Sequence, residues 1–244
     1  MAYGVKLEVW GEFASFNRPE MKVERVSYEV MTPSAARGVL EAIYWKPQMR
    51  WVVDAVRVLA PIRFTHVRRN EISVKIPIAG KSGVSAAMKA GKGNLGIAVE
   101  DHRQQRAAMI LRDVRYGIEA HIEVLDPTEK GGAPLAHPEA KHLETFKRRA
   151  AKGQCFHNPY LGCREFPARF RLLDSDEEFP PCPEELQGDR DLGFILWDIA
   201  FIEDSKGPII ESNGFRRMKA EPRFFHASMK DGRIQVPSFD GTRG

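Results

Sequence analysis

Apolar and polar positions alternate from Val5 to Val9, the period of a half-buried strand, and the run continues into Trp10-Gly11-Glu12-Phe13-Ala14-Ser15-Phe16. Thr32-Pro33 then makes a helix start, with Thr as the cap and Pro at the first helical position. Ala36, Val39, Leu40 and Ile43 follow at helical spacing, and Pro47 stops the run because it has no N–H to donate. Val52–Leu59 reads as a second strand, leading through Pro61 to the basic stretch His66-Val67-Arg68-Arg69. From Ala79 to Asn94 the periodicity fails. Gly80, Gly83, Gly91 and Gly93 stand among Lys81, Lys89 and Lys92, which predicts a mobile basic loop. Its Gly80-Lys81-Ser82 resembles the end of a phosphate-binding loop, but position 75 is Lys where that motif needs Gly, and the motif is rejected.

Met109–Leu111 and Ile118–Leu125 read as strands. In the second, Ile118, Ala120, Ile122 and Val124 face one way and Glu119, His121 and Glu123 the other. A turn-rich stretch leads to a helix over Glu139–Lys152, with Leu143, Phe146 and Ala150 as its apolar stripe and Gly153 as its terminator. Ala168–Leu173 is one more strand. Strand, helix, strand, strand, helix, strand is the split βαβ, or ferredoxin-like, order shared with common RNA-recognition domains. The expected class is α+β, with a ferredoxin-like domain over residues 1–175 and a smaller antiparallel β region over 176–244. That second part holds the strands Phe194–Phe201, Phe224–Ala227 and Ile234–Val236, with Asp231-Gly232 as a hairpin turn.

At 244 residues, 43% hydrophobic and 29% charged, the chain has the composition of a globular protein able to bury a core. It shows neither a membrane-length apolar run nor a signal peptide, and its three cysteines (Cys155, Cys163, Cys182) are too few and odd in number for a disulfide framework. The expected compartment is the cytoplasm. The charge is unevenly spread. Between Asp174 and Asp204 eleven acidic residues face Arg190 alone, a net −10 that leaves +14 on the rest of a chain whose total is +4. The remainder has the footprint of a polyanion binder.

Candidate chemistry concentrates on Lys141-His142, near the start of the second helix, which ends in Lys147-Arg148-Arg149. An imidazole, a fixed cation and the positive end of a helix suit a phosphate, and the helix end favours the neutral imidazole that a base requires. On the first helix Tyr44 lies about 40° around the axis from Leu40, at the edge of the buried stripe with its hydroxyl able to reach the surface. Both helices of a ferredoxin-like fold pack on one sheet face, so a phenol, an imidazole and an ammonium can meet in one cleft. Such a set can cleave RNA without a metal: one group deprotonates the ribose 2′-OH, one protonates the leaving 5′-oxygen, and the cation offsets phosphorane charge. Arg68, Arg69, Lys147, Arg148 and Arg149 are the expected phosphate contacts. Cys155-Phe156-His157 with Cys163 lacks the spacing of a structural zinc module. The carboxylates Asp174, Asp176, Glu177 and Glu178 read as an acidic surface loop rather than a Mg²⁺ site, and Trp10, Phe13 and Phe16 as core rather than base-stacking rings. Neither metal nor cofactor is expected.

Several strings together resemble CRISPR-associated proteins of the Cas-five family, subtype I-C (Dvulg type), within the RAMP superfamily. They are Leu7-Glu8-Val9-Trp10-Gly11 with Phe13 and Phe16, Glu41-Ala42-Ile43-Tyr44-Trp45-Lys46-Pro47, Leu111-Arg112-Asp113-Val114-Arg115-Tyr116, Lys141-His142, and Tyr160-Leu161-Gly162-Cys163-Arg164-Glu165-Phe166. The resemblance implies a metal-independent endoribonuclease that cuts the repeat hairpin of precursor CRISPR RNA. It further implies that the protein stays on the 5′ handle in a Cascade complex, beside backbone and large subunits. The family's catalytic tyrosine matches Tyr44, and its adjacent lysine and histidine match Lys141 and His142. A non-catalytic RNA-binding scaffold of Cascade is the main alternative, a metal-dependent DNA nuclease a third, and DNA as a secondary ligand is left open.

Overall fold

The computed structural model describes residues 4–21, 23–75, 78, 83–91, 98–128, 132, 134–203 and 218–243. The elements are β1 (Gly4–Ala14), β2 (Arg25–Val26), α1 (Pro33–Ile43), β3 (Met49–Val58), β4 (Phe64–Ile72), α2 (Val84–Ala90), α3 (Val99–His102), β5 (Arg103–Val124), α4 (Pro138–Ala151), β6 (Arg169–Leu172), β7 (Asp189–Glu203), β8 (Met218–Lys230) and β9 (Arg233–Gln235).

Among the described residues the strands join in one sheet with the order β6-β1-β5-β3-β9-β8-β7, while β2 and β4 pair with the first half of β5. The stretch β6-β1-β5-β3 pairs antiparallel throughout. With α1 and α4 as its crossovers, this is the ferredoxin-like arrangement expected from the element order. The C-terminal strands are antiparallel too, and they continue the same sheet because β9 hydrogen-bonds to β3 between Ala55 and Arg57. Asp231 (φ 48°) and Gly232 (φ 74°) make the β8–β9 turn, both in the left-handed region that a tight hairpin requires.

Two sequence expectations are corrected here. Met109–Leu111 and Ile118–Leu125 are not separate strands but parts of β5, which runs unbroken for 22 residues. The intervening Arg112-Asp113 and Arg115 look like a loop only because that stretch carries charges on its exposed face. β5 outlasts the core because its first half pairs with β4 instead, from Ile72↔Arg103 to Phe64↔Leu111. The expected loop over Ala79–Asn94 contains the short helix α2, closed by Gly91 in the left-handed region; residues 79–82 and 92–94 lie outside the described residues.

The helices cover one face. Leu7, Val9, Ile118, Ala120, Ile122 and Trp51 from the sheet bury against Val39, Leu40 and Ile43 of α1 and against Leu143 and Phe146 of α4 in one core cluster. The opposite face is ionic. Glu8, 1% exposed, is bonded by Arg115 and Arg171, and Glu119 pairs with Arg57 at 2.5 Å and Arg233 at 3.0 Å. Part of the acidic segment lies over this face: Glu178 pairs with Lys6 at 2.9 Å and Glu177 with Arg171 at 2.6 Å. α1 is also fixed from outside. Arg37 grips Asp198 of β7 with two hydrogen bonds, Nε at 2.7 Å and Nη2 at 3.0 Å, while its Nη1 reaches Glu41 at 2.6 Å.

The loop after α4 is locked to the end of β1, where Ser15 N–H donates to the Leu161 carbonyl at 3.0 Å. Gly162 sits at φ 82°, and a Cβ there would collide with the Ser15 carbonyl, which is backbone and cannot step aside. Gly162→Ala combines left-handed strain with overpacking and is expected to cost about 2 kcal/mol or more, read as a lowered urea midpoint with an unchanged slope.

Candidate active site

Tyr44 closes α1 rather than belonging to it. Thr32 caps the start of the helix by accepting from Ala35 N–H, and at the other end Tyr44 turns to extended backbone (φ −156°, ψ 127°) while its N–H still bonds to the Leu40 carbonyl. The expectation that its hydroxyl reaches the surface is therefore corrected. Tyr44 is only 5% exposed, because the break in the helix swings its ring into the core between α1 and α4. There its hydroxyl lies 2.8 Å from Nδ1 of His142, which is itself 5% exposed on α4.

Trp51 of β3 holds both sides of this junction. Its indole N–H donates to the Tyr44 carbonyl at 2.9 Å, and its ring packs edge-on against Phe146, one turn beyond His142 on α4, at 4.7 Å between centroids. Arg149 approaches from the last turn of α4. It donates to the Ile43 carbonyl at 3.2 Å, satisfying a helix-end acceptor, and its guanidinium lies 5.3 Å from the centre of the Tyr44 ring.

Burial and charge set the protonation states. Burial is the main reason the His142 pKa falls below the usual imidazole value, and the Lys141 and Lys46 ammonium groups lower it further. The direction is the one expected from the helix end, and desolvation with two named cations accounts for it. Burial likewise raises the Tyr44 phenol above its ordinary value, against smaller lowering effects from Arg149, the Thr145 hydroxyl and Lys141. At neutral pH both groups are uncharged. Nε2 of His142 is buried without a hydrogen-bond partner. Leaving such a nitrogen unsatisfied costs about 1–3 kcal/mol, which a substrate atom placed there would offset.

Lys141 is exposed on the same turn of α4 as His142. The structure brings the Tyr44 phenol and the His142 imidazole together, and the Lys141 charge acts on both from the exposed side of α4. The five expected phosphate contacts divide differently. Arg148 on α4 and Arg68 on β4 are exposed and Lys147 is half-buried, whereas Arg149 is held to Ile43 and Tyr44. Arg69 is turned inward, paired with Glu165 at 2.5 Å and 5.4 Å from the Phe166 ring. Among the described residues no three His, Cys, Asp or Glu side chains converge as metal donors. Cys155 and Cys163 are free thiols, near the Asn158 side chain and the Ser15 carbonyl respectively. Phe16 is 3% exposed and in the core as expected, whereas Phe13 is half-buried, packed on Phe166 at the edge of the core, and Trp10 is half-buried outside it. Sequence reasoning missed Trp51 and Lys46. Lys46 stood inside the quoted string beside Tyr44, but nothing in the spacing of Trp51 marks it as a support.

Residues 4–237 match the Cas5d model of the family described as "CRISPR-associated protein (Cas_Cas5)". A protein of Mannheimia succiniciproducens named CRISPR pre-crRNA endoribonuclease Cas5d is 48% identical over 241 residues, covering 98% of this chain and 97% of the relative. One of Thermus thermophilus with the same name is 42% identical over 240 residues, covering 96% and 91%. Among solved structures, one described as a CRISPR-associated protein superposes with a TM-score of 0.62 at 22% identity, covering 99% of this chain and 96% of that one. A functionally uncharacterized protein from Streptococcus mutans superposes at 0.60 with 20% identity, covering 96% and 92%. These two share the fold.

Trp51→Phe keeps most of the packing on Phe146 but orphans the buried Tyr44 carbonyl. The expected result is a stability loss of about 1–3 kcal/mol by denaturant titration, with RNA cleavage slowed more than RNA binding is weakened.

Proposed function

The chain belongs to the Cas5 family of CRISPR-associated proteins, in its Cas5d branch (subtype I-C), and on that premise we propose that it is a metal-independent endoribonuclease acting on the repeat hairpin of precursor CRISPR RNA. The observation that carries the reading is the hydrogen bond between Tyr44 and His142, with Nε2 of the imidazole unpartnered and Lys141 on the same turn. The names of the two full-length relatives support it.

In the tautomer with the proton on Nδ1, the imidazole donates to the Tyr44 oxygen. The Nε2 lone pair is then unengaged, and once the RNA displaces the side chains that cover it, it takes the proton of the 2′-OH next to the scissile phosphate. The 2′-oxygen attacks phosphorus as the bond to the 5′-oxygen breaks, and the Tyr44 proton goes to that leaving oxygen. The Lys141 ammonium offsets the charge of the phosphorane. The products are a 2′,3′-cyclic phosphate and a 5′-hydroxyl. Burial of the pair fits a reaction that uses no outside water, since the nucleophile belongs to the RNA. Arg68, Lys147 and Arg148 supply phosphate contacts, with Arg69 and Arg149 supporting the site from within. After cleavage the protein stays on the 5′ handle as a Cascade subunit, next to backbone and large subunits. The first 175 residues hold the chemistry, and the acidic segment and strands beyond them brace it.

Three variants test the chemistry. His142→Ala and Lys141→Ala are expected to slow single-turnover cleavage by about 10²–10⁴-fold, and Tyr44→Phe to lose much of the rate, all with hairpin affinity little changed. A substrate with a single 2′-deoxy substitution 5′ to the cut should bind but not be cleaved, and EDTA should have no effect. Parent-like cleavage by all three variants would leave a non-catalytic RNA-binding subunit. Efficient cutting of the deoxy substrate, or a strict Mg²⁺ requirement, would point to a metal-dependent nuclease.

The pKa directions fix the pH profile. A base whose pKa is lowered stays unprotonated until the pH drops below the usual imidazole range, and an acid whose pKa is raised keeps its proton past the usual phenol range. The cleavage rate should therefore be flat across neutral and mildly alkaline pH and fall on the acid side. Lys141→Met removes one of the charges that depress His142, so its acid limb should move to higher pH, measured on the slower reaction that remains.

A further inference from the structure

Two large aromatic side chains stand in water beside the C-terminal end of α1, which Tyr44 closes. Trp45, the next residue, is 50% exposed, and Phe156 is 83% exposed. Neither ring hangs on a loose backbone. The Phe156 N–H donates to the Ala42 carbonyl at 2.8 Å and the His157 N–H to the same oxygen at 3.3 Å, which fastens this turn to the last residues of α1. The chain on either side of Trp45 is held too, by the Trp51 indole on the Tyr44 carbonyl at 2.9 Å and by Met49 N–H on the Lys46 carbonyl at 3.1 Å. Beyond Phe156 the rings continue. His157 lies 6.0 Å from Phe156 and 6.3 Å from Tyr160, stacked on the latter at 26°.

Exposing this much aromatic surface opposes the hydrophobic effect, whereas a fixed backbone below each ring reduces the entropy lost when a flat partner settles on it. Lys46 and Lys141 bring positive charge to the same place, both acting on His142. Cations beside fixed, exposed rings are the composition of a site for unpaired nucleotides, whose bases stack on the rings while the phosphates lie along the charges. The chemistry asks for the same substrate. In-line attack needs the 2′-oxygen, phosphorus and 5′-oxygen in a row, and a regular A-form helix does not hold them so.

We propose that Trp45 and Phe156 are positioning residues that stack the unpaired bases flanking the scissile phosphate, so that this site takes a splayed single-stranded junction rather than the duplex of the hairpin. The proposal rests on the assignment of Tyr44, Lys141 and His142 as the catalytic centre.

The test uses the full chain carrying His142→Ala, expected to bind while cutting about 10²–10⁴-fold more slowly, and repeat RNA with 2-aminopurine on either side of the cut. Binding should quench the fluorophore, and Trp45→Leu or Phe156→Leu should remove most of the quenching on its own side. In the cleaving protein each Leu variant should raise the RNA concentration giving half-maximal rate by about tenfold, with a smaller effect on the maximal rate, and Trp45→Phe should restore it. Unchanged quenching and half-saturation in the double Leu variant would overturn the stacking role, even if Tyr44→Phe still slows cleavage. Unchanged RNA parameters together with lost co-purification of a neighbouring Cascade subunit would overturn it in favour of a protein contact. If instead Tyr44→Phe cleaves like the parent, the catalytic assignment fails by itself, and the quenching experiment still decides the stacking.

Discussion

The candidate site depends on one side chain that takes no part in the chemistry. Trp51 leaves the sheet at β3, ties the Tyr44 carbonyl with its indole N–H, and lays its ring against Phe146 of α4. Tyr44 and His142 come from elements 98 positions apart in sequence, and their 2.8 Å hydrogen bond needs both helix ends placed to within a fraction of an ångström. A hydrogen bond to backbone and an edge-on ring contact from one rigid residue provide that placement. Arg149 acts in the same sense from the opposite side, capping α1 and lying over the Tyr44 ring.

Much of the core fold was legible in the sequence because its elements follow clean periods. β1, α1, β3 and α4 have one apolar face each, and Thr32-Pro33 marks the helix start at the residue where the structure begins it. β4 was not legible. Its residues, from Phe64 to Ile72, alternate between half-buried and exposed with arginines on both faces, so no apolar period sets it apart. The unity of β5 was hidden for a related reason: Arg112, Asp113 and Arg115 interrupt its apolar residues, and Asp113 even takes a positive φ of 54°.

The site was legible by residue type and not by environment. Tyr44, Lys141 and His142 could be picked out by their chemistry and by the family strings they stand in, since spacing alone did not single them out. Their burial could not be read, because it follows from Tyr44 leaving the helix and from Trp51 closing behind it. That burial is the largest cause of the lowered His142 pKa, whose direction the helix end already predicted. Trp45 and Phe156 escaped notice for the opposite reason. Aromatic residues are usually core, and Phe156 stood inside a string that drew attention for its thiol and imidazole.

The grip of Arg37 on Asp198 reaches further than a single ion pair. It joins the outer face of α1 to a strand that begins well after the ferredoxin-like unit is complete, and it fixes the helix that Tyr44 closes. A chain shortened to its first 175 residues would keep Tyr44, Lys141 and His142, yet Arg37 of α1 would lose Asp198 and retain only Glu41 of its own helix. The accessory strands thus serve as an external splint for the helix that Tyr44 closes. For anyone seeking a minimal RNA-cutting module, the smallest useful unit is set by mechanical support, not by the positions of the reactive side chains.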